Sequence, residues 1–289
     1  MHIMAPPHTP PINNYRTIPT VIDISTPPST HLNAMSSPMT TPPPQEAAPK
    51  PLLALDLYGT LLDTSSISTA LESHLPSYHK HLATQICQDW RKHQLEYTWR
   101  LNSMGKYDDF STVTKLSLTD ALHRAGAHLP SSTHKLLLSA YDSLSAFADV
   151  PQLLHSLQEL QIPAVIFSNG TPTQLASAVA MSPVLKDSCI ARAQTPFISV
   201  HDVGRFKPAP ETYRYLLQRL GVEEADAERV VMVSSNPFDV VGAAAVGLRT
   251  IWVDREGKGW GDGLGRPKHV VRSLEEVVEI VDDGGDECF

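Results

Sequence analysis

The sequence has little cysteine, no long apolar run and no excess of positive charge, and each shortage excludes a class of protein. Its three cysteines, Cys87, Cys189 and Cys288, are far apart and form no CxxC pair. This pattern argues against a disulfide scaffold or a zinc site and is typical of a reducing compartment, so we expect a cytoplasmic location. No stretch approaches the roughly 20 apolar residues of a membrane span. A net charge of -8 disfavours nucleic acid as a partner.

Metal binding is not expected either. His74, His79 and His81 lie close together in the sequence, and His93 lies further on. Metal sites usually need tighter spacing and thiolate or carboxylate partners. We interpret these histidines as side chains on a solvated helix face, and the sequence predicts neither a metal ion nor a cofactor.

Residues 1–50 differ from the rest of the chain. They contain half of the 24 prolines, no glycine and very few charged residues. A segment of this composition cannot bury enough apolar surface to offset the entropy lost on ordering. It also lacks the basic start and the continuous apolar run of a secretory signal. We therefore expect residues 1–50 to form a disordered proline-rich tail.

From residue 51 onward, strand and helix signals alternate. Thr171, Pro172 and Gln174 fit the N-cap, first residue and capping-box partner of a helix, and residues 236–239 repeat this pattern. The alternation predicts an α/β fold with a Rossmann-like parallel sheet as its core. Short apolar runs rich in β-branched residues predict strands covered on both faces; these runs are 52–57, 163–168, 196–200, 229–234 and 249–253.

The pattern changes between residues 65 and 146. No strand signal occurs there, and amphipathic helical stretches dominate. A helical block inserted directly after the first strand is expected to cover the edge of the sheet where ligands bind. The predicted organisation is therefore an α/β core formed by residues 51–64 and 147–289, with an inserted helical cap at 65–146.

Polar side chains follow the predicted strands at their carboxyl ends, where open α/β sheets bind ligands. Each one alone has a structural explanation, as a turn residue, a helix N-cap, an acid near a helix N-terminus or a surface lysine. Their shared position in the topology instead favours one common site around the first acid. The side chains are Asp56, Ser168, Asn169, Lys207, Ser234, Asn236 and Asp239.

Four short motifs occur in a specific order. "DLYGTLLD", "SNG", a lysine followed by proline (Lys207) and "SSNPFD" resemble the four motifs of the haloacid dehalogenase superfamily. The helical stretch "WRKHQLEYTWRLNSMGKYDDF" (90–110) is similar to the segment that supplies the halide-binding arginine of the L-2-haloacid dehalogenases, type II. The resemblance extends over residues 52–285, nearly everything except the tail.

The residue at position 58 distinguishes between the reactions that members of this superfamily catalyse. Its phosphatases carry a second aspartate two positions after the nucleophile and hold Mg²⁺ with an acidic fourth motif. Here the first position is Tyr58, and Asp239 is the only acid in the fourth motif. A halide leaves without a proton or a metal. The resemblance therefore implies hydrolytic dehalogenation of (S)-2-haloalkanoic acids to (R)-2-hydroxyalkanoic acids through an aspartyl ester.

The resemblance also implies a role for each matching residue. Asp56 would be the nucleophile, and the guanidinium of Arg91 would hold the departing halide. Asn169 and Phe238 would contact the halide. Ser168 and Lys207 would bind the substrate carboxylate, and Tyr213 would orient Lys207. Water would be positioned or activated by Thr60, Ser234, Asn236 and Asp239, and an apolar wall would be formed by Tyr58, Leu95 and Phe110.

Two other functions remain open from the sequence. One is a Mg²⁺-dependent phosphatase of the same superfamily, and the other is a non-catalytic dehalogenase-like protein. Lys92 and Phe238 also depart from the glutamine and tryptophan found in some bacterial members, which leaves the true substrate open. Apolar positions on the cap are compatible with a homodimer.

Overall fold

The computed structural model describes residues 50–282. Apart from Lys50, the disordered tail predicted for residues 1–50 lies outside this range. Within the described part of the chain, we find no helix with both the length and the apolar character needed to cross a membrane.

A single sheet forms the centre of the fold. The bounds of its strands are β1 (Leu52–Leu55), β2 (Ala164–Ser168), β3 (Phe197–Ser199), β4 (Val230–Ser234), β5 (Arg249–Val253) and β6 (His269–Val271). All neighbours are parallel, in the order β3-β2-β1-β4-β5-β6. The predicted α/β fold class is confirmed. All five predicted strands occur, and the short β6 was not predicted.

Helices fill the connections between the strands. Five follow β1 before the chain returns to the sheet: α1 (Ile67–His74), α2 (Ala83–Ser103), α3 (Phe110–Arg124), α4 (Ser131–Tyr141) and α5 (Val150–Glu159). The remaining helices of the described region are α6 (Pro172–Met181), α7 (Pro210–Leu220), α8 (Pro237–Ala244) and α9 (Glu275–Asp282).

The N-terminal capping patterns predicted for two helices differ in how far the structure agrees with them. At α6 the predicted capping box forms, because Thr171 Oγ1 accepts from the backbone N–H of Gln174 and Gln174 Oε1 accepts from the N–H of Thr171. At α8 the prediction is wrong in part. Asn236 occupies the N-cap position, but its side chain makes no capping hydrogen bond. That amide points into the region where the strands end.

The burial of β1 explains where this region begins. Leu53, Ala54 and Leu55 are fully buried, since β1 lies between β2 and β4 and both of its faces are covered. In the register, Leu55 lies opposite Ile166 and Val233. The next residue along the chain is therefore presented at the carboxyl edge of the sheet.

Helices α2 and α3 pack against each other, and α2 also contacts the loops at this edge. Trp90 Nε1 donates to the carbonyl of Thr114, 2.9 Å away, which ties α2 to α3. The side-chain amide of Asn102 pairs with the backbone N–H and C=O of Phe206, at 3.0 and 2.7 Å. The division of the chain into core and cap remains a prediction, but α2 itself lies over the strand ends.

Candidate active site

The carboxyl ends of the parallel strands bring the predicted polar side chains together. Asp56 directly follows β1, Ser168 ends β2 and Ser234 ends β4. The loop after β3 contributes Lys207, which is 1% exposed. Because neighbouring parallel strands end at the same edge, residues far apart in sequence become neighbours here.

The two oxygens of the Asp56 carboxylate have different surroundings. Oδ2 accepts hydrogen bonds from Thr60 Oγ1 (2.9 Å), Asn236 Nδ2 (2.7 Å) and Ser234 Oγ (3.4 Å). Oδ1 accepts from Lys207 Nζ at 3.3 Å. Oδ2 therefore has three hydrogen-bond donors, whereas Oδ1 has only the Lys207 ammonium.

Backbone donors fix the direction of the two hydroxyl bonds to Asp56. The N–H of Ser235 donates to Thr60 Oγ1 at 2.9 Å, and the N–H of Asn236 donates to Ser234 Oγ at 3.1 Å. Each hydroxyl therefore accepts from the backbone and has its own proton available for Oδ2. The arrangement is a preformed donor set around one carboxylate oxygen.

Lys207 links Asp56 to a second buried carboxylate. Its Nζ donates to Asp239 Oδ2 at 2.8 Å and to the carbonyl of Phe167 at 2.7 Å, in addition to Asp56. Tyr213 donates its hydroxyl proton to Asp239 Oδ1, 2.8 Å away. An ammonium has three protons, so these three acceptors use all of them.

The pKa values in this group follow from burial. Burial raises the pKa of Asp239 to about 6, with the charge of Lys207 opposing the shift and that of Asp56 adding to it. Burial, together with Asp239, holds the pKa of Tyr213 well above its usual value. Tyr213 is therefore a permanent hydrogen-bond donor at neutral pH, whereas Asp239 can take up a proton just below it.

Arg91 reaches the strand ends from helix α2. Its Nη2 donates to the carbonyl of Tyr58 (3.1 Å) and to Asn236 Oδ1 (3.3 Å), and its Nη1 donates to Gln94 Oε1 (2.8 Å). The chain turns at Gly59 with φ of 89°, a conformation that favours glycine. This turn leaves the Tyr58 carbonyl free to face Arg91.

A small cavity of about 10 Å³ lies between α2 and the strand ends. Its volume is far below the range typical of sites for drug-sized molecules. Every residue that lines it was predicted as a site residue from the sequence. The lining consists of Asp56, Tyr58, Arg91, Leu95, Phe110, Ser168, Asn169, Lys207, Asn236 and Phe238.

Four predicted residues lie behind the cavity wall and act on those that line it. Thr60 and Ser234 bond to Asp56, and Asp239 bonds to Lys207. Tyr213 was expected to orient Lys207, but its hydroxyl bonds to Asp239 instead. Any effect of Tyr213 on Lys207 therefore passes through the Asp239 carboxylate.

The apolar wall has an aromatic composition. The Tyr58 ring stacks on Phe110 at 5.7 Å between centroids and packs against Tyr141 at 5.5 Å. The Tyr58 hydroxyl is buried and has no hydrogen-bond partner among the described residues. Burial raises the pKa of this phenol well above its usual value, so Tyr58 stays neutral beside Asp56.

Binding of the substrate carboxylate by the Lys207 ammonium stays a prediction; its three protons here donate to Asp56, the Phe167 carbonyl and Asp239. Two other expectations need correction. Lys92, expected to affect substrate fit, is exposed on α2 and does not line the cavity. His93 was assigned to a solvated helix face, but it is buried, with Nδ1 3.3 Å from Asp120 Oδ2.

Two residues that sequence reasoning missed support the site. Gln94 bonds to Arg91 from the same helix and is fully buried. Arg255 forms a bidentate ion pair with Asp149 at 2.9 Å and donates to the carbonyl of Thr60 and to Ser235 Oγ. Arg255 follows β5 by two residues, so the strand-end argument that identified Asp56 could have found it.

The carboxylates do not form a metal-binding group. Within residues 50–282, no cluster of three or more His, Cys, Asp or Glu side chains has the arrangement needed to hold a metal ion. Asp56 and Asp239 share the ammonium of Lys207, which supplies the positive charge between them. This donor set does not fit Mg²⁺, which prefers several free oxygen ligands.

Comparison with known proteins places this site in a family. Residues 51–247 match the haloacid dehalogenase-like hydrolases. An (S)-2-haloacid dehalogenase of Pseudomonas putida is 33% identical over 225 residues, 78% of this chain and 93% of that protein. Haloacetate dehalogenase H-2 of Moraxella sp. (strain B) is 30% identical over 230 residues, 79% of this chain and 96% of that protein.

A solved structure agrees in fold as well as in sequence. The L-2-haloacid dehalogenase of Xanthobacter autotrophicus, with chloropropionic acid covalently bound, is 29% identical with a TM-score of 0.71, covering 81% of this chain and 98% of that one. This chain belongs to the haloacid dehalogenase-like hydrolase family. Within that family it is similar to the (S)-2-haloacid dehalogenases, so the predicted resemblance is confirmed.

Proposed function

We propose that this protein hydrolyses (S)-2-haloalkanoic acids to (R)-2-hydroxyalkanoic acids through an ester of Asp56. The observation that carries the proposal is the unequal treatment of the two Asp56 oxygens. Oδ2 accepts three hydrogen bonds, whereas Oδ1 has only Lys207 at 3.3 Å, and Asp56 lines the cavity between α2 and the strand ends. Relatives named as (S)-2-haloacid dehalogenases, and one such structure with covalently bound chloropropionic acid, support the same chemistry.

In the first step Asp56 Oδ1 attacks C2 of the substrate from the side opposite the halogen. The Oδ1–C2 bond forms as the carbon–halogen bond breaks, and the halide leaves with the bonding electrons. The configuration at C2 inverts. Dividing the displacement by water into two steps through an ester makes each of them easier.

Arg91 and Asn169 receive the halide in this proposal, with Phe238 at the edge of the cavity. The Asn169 Oδ1 accepts from the backbone N–H of Lys207 at 2.9 Å. That bond orients the amide and leaves its Nδ2 as the donor. Arg91 supplies a full positive charge whose attraction grows as the halide becomes an anion, which makes it a transition-state contact.

Ser168 and Lys207 bind the substrate carboxylate in this proposal. Ser168 Oγ accepts from the N–H of Gly170 at 3.2 Å and has its own proton to donate. Lys207 also balances the charges of Asp56 and Asp239. When Oδ1 becomes an ester oxygen it loses its negative charge, and Lys207 keeps its bond to Asp239.

In the second step water attacks the carboxyl carbon of Asp56. Negative charge then develops on Oδ2, where Thr60, Ser234 and Asn236 already donate. Preformed donors at the developing charge are a large source of rate enhancement. Asp239 accepts the proton of the water, since a carboxylate with a pKa of about 6 is a stronger base than an ordinary one. The alkoxide departs on the former Oδ1 and takes up that proton. The second proton of the water leaves the new Asp56 carboxyl group to solvent, which restores the carboxylate.

Several finer features belong to the same proposal. The reaction needs no metal ion, because Lys207 supplies the charge between the two carboxylates and the leaving halide needs none. Residues 65–146 act as a cap over the cavity. The protein works in the cytoplasm as a homodimer, without a nucleic-acid partner.

Chloride release from the two enantiomers of 2-chloropropionate tests the proposal against its alternatives. We expect release from the (S)-enantiomer only, unchanged by excess EDTA. Hydrolysis of a phosphomonoester that requires Mg²⁺ would favour the phosphatase. No turnover of either substrate class would favour a non-catalytic protein.

The ester is tested by a single turnover in H₂¹⁸O with enzyme in excess. The hydroxy acid should be mostly unlabelled, because its new oxygen comes from Asp56. The heavy isotope should appear in the peptide that contains "LLALDLYGTLLD". Label in the product and none in the peptide would contradict the covalent mechanism while leaving dehalogenation intact.

A further inference from the structure

Gln94 lies at the centre of a buried hydrogen-bond network next to Arg91. It is 0% exposed and sits one helical turn after Arg91 on α2, outside the cavity lining. Its Oε1 accepts from Arg91 Nη1 at 2.8 Å and from the Tyr141 hydroxyl at 3.1 Å. Its Nε2 donates to Thr114 Oγ1 at 2.8 Å on α3.

The direction of each bond in this network is determined by its neighbours. Thr114 Oγ1 donates its single proton to the carbonyl of Phe110 at 2.6 Å, so it can only accept from Gln94. The NH₂ group of Gln94 must therefore face Thr114, and its carbonyl oxygen must face Arg91. Burial raises the pKa of Tyr141, so the phenol stays protonated and donates to the same oxygen.

The network determines where the guanidinium of Arg91 can lie. Nη1 is held by Gln94, and Nη2 is held by the Tyr58 carbonyl and Asn236 Oδ1. Three contacts to two nitrogens fix the plane of the guanidinium. Without them, the long arginine side chain would leave this plane free to rotate. Of these three contacts, the one to Gln94 comes from the helix that carries Arg91 and not from the strand ends.

We propose that Gln94 is a positioning residue, whose carbonyl oxygen holds the Arg91 guanidinium in the plane that meets the departing halide. The inference rests on the proposed dehalogenation and on the role of Arg91 in it. Gln94 touches no substrate atom in this scheme. Its effect therefore appears in kcat, with little change in KM, because the contact it supports strengthens only as the halide leaves.

The test is a double-mutant cycle between Gln94→Met and Arg91→Lys, read as kcat for (S)-2-chloropropionate. Met has a similar volume and no acceptor oxygen. In the wild-type background we expect Gln94→Met to lower kcat about tenfold, since a small misplacement of a catalytic group has costs of this order. In the Arg91→Lys background it should lower kcat less than about twofold, because the guanidinium is already gone.

A second readout uses the leaving group. Chloride is a poorer leaving group than bromide and needs more assistance, so the ratio of kcat for 2-bromopropionate to that for 2-chloropropionate should rise in Gln94→Met.

Thr114→Val frees the Gln94 amide without touching Arg91 and should raise the same ratio by a smaller factor. This variant keeps the test usable if Gln94→Met does not fold. Ser117→Ala, a buried hydroxyl on α3 with bonds only to its own helix, is the control and should leave the ratio unchanged.

Equal losses from Gln94→Met in both backgrounds, or a halide ratio that does not move in either network variant, would overturn the inference. A wild-type protein that releases no halide would instead contradict the proposed function itself. The two failures are thus distinguishable in one set of assays.

Discussion

The two sides of the cavity are built differently. On the strand-end side, Asp56, Lys207 and Asp239 are buried and joined by direct hydrogen bonds, with further donors from the backbone and from short side chains. On the helix side, Arg91 and Leu95 are half-buried on α2, and Arg91 reaches the strand ends through one nitrogen. The first side is densely connected, whereas the second depends on a few contacts across the cavity.

In the proposed mechanism this difference corresponds to two sets of roles. The strand-end side contains the groups that form and hydrolyse the ester, which must stay in place for both steps. The helix side contributes Arg91 to the leaving halide and Leu95 to the alkyl group. Changes on the strand-end side should therefore abolish turnover, and changes on the helix side should reduce it or alter its selectivity.

The largest effect is expected from Asp56→Asn. The amide is nearly isosteric but a poor nucleophile, so kcat should fall roughly 10⁴-fold or more, on the scale seen when a covalent nucleophile is removed. Halide release measures the loss, and circular dichroism checks that the fold is intact. A variant that keeps more than a few per cent of activity would show that Asp56 is not the nucleophile.

On the helix side, Arg91→Lys should have a smaller effect. The charge is kept, but the planar fork that contacts Tyr58 and Asn236 is lost. We expect kcat to fall roughly 10²-fold, with the nucleophile and its donors unchanged. An unchanged kcat would mean that Arg91 merely joins α2 to the strand ends.

The pH dependence tests the coupling between Lys207 and Asp239. Asp239, with a pKa of about 6, becomes protonated as the pH falls through that value. Lys207 then pairs more strongly with Asp56, which becomes a weaker nucleophile, and the Asp239 base is lost. We expect kcat to fall about tenfold for each pH unit below 6.

Stability should change in the opposite direction over the same range. The pKa of Asp239 is higher in the folded protein than its ordinary value of about 4, so the folded state binds the proton more tightly. Its contribution to stability therefore grows as the pH falls from about 6 towards 4 and shrinks as the pH rises again. The difference in Tm between wild type and Asp239→Asn, followed from pH 7 to 5, measures this contribution; a difference independent of pH would contradict the assignment.

The strand-end side could be predicted from sequence because topology decides it. Once the apolar runs are recognised as parallel strands, the polar residues after Leu55, Phe167 and Val233 must meet at one edge. What the sequence could not supply was the direction of the hydrogen bonds. The acceptors of Lys207 Nζ, which include the Phe167 carbonyl and Asp239, depend on side-chain geometry that strand order does not determine.

The helix side was accessible mainly through the family resemblance. Helical periodicity places Arg91 and Leu95 on one face of α2, but nothing in that periodicity says which loop the face covers. Gln94 has the spacing of an ordinary buried helix residue, and its function depends on Thr114, 20 residues away on α3. Contacts between two helices of an insertion are not determined by strand order, which explains why this network was missed.

The smallest effects should come from the two departures from the bacterial pattern, which form a matched pair. Phe238 lines the cavity and contacts Trp99 with ring centroids 5.4 Å apart, whereas Lys92 is exposed on the outer side of α2. Phe238→Trp adds volume beside this small cavity. It should disfavour 2-chlorobutyrate relative to 2-chloropropionate by about fivefold in kcat/KM, within the range that one methylene can produce.

Lys92→Gln should change the same ratio by less than about twofold, because a surface substitution far from special contacts has little effect. Both variants are compared with wild type by kcat/KM for the two chain lengths at one pH. If Lys92→Gln changed chain-length selectivity as much as Phe238→Trp, selectivity would depend on the charge at the outer face of α2. The shape of the cavity beside Phe238 would then not be the factor that selects the substrate.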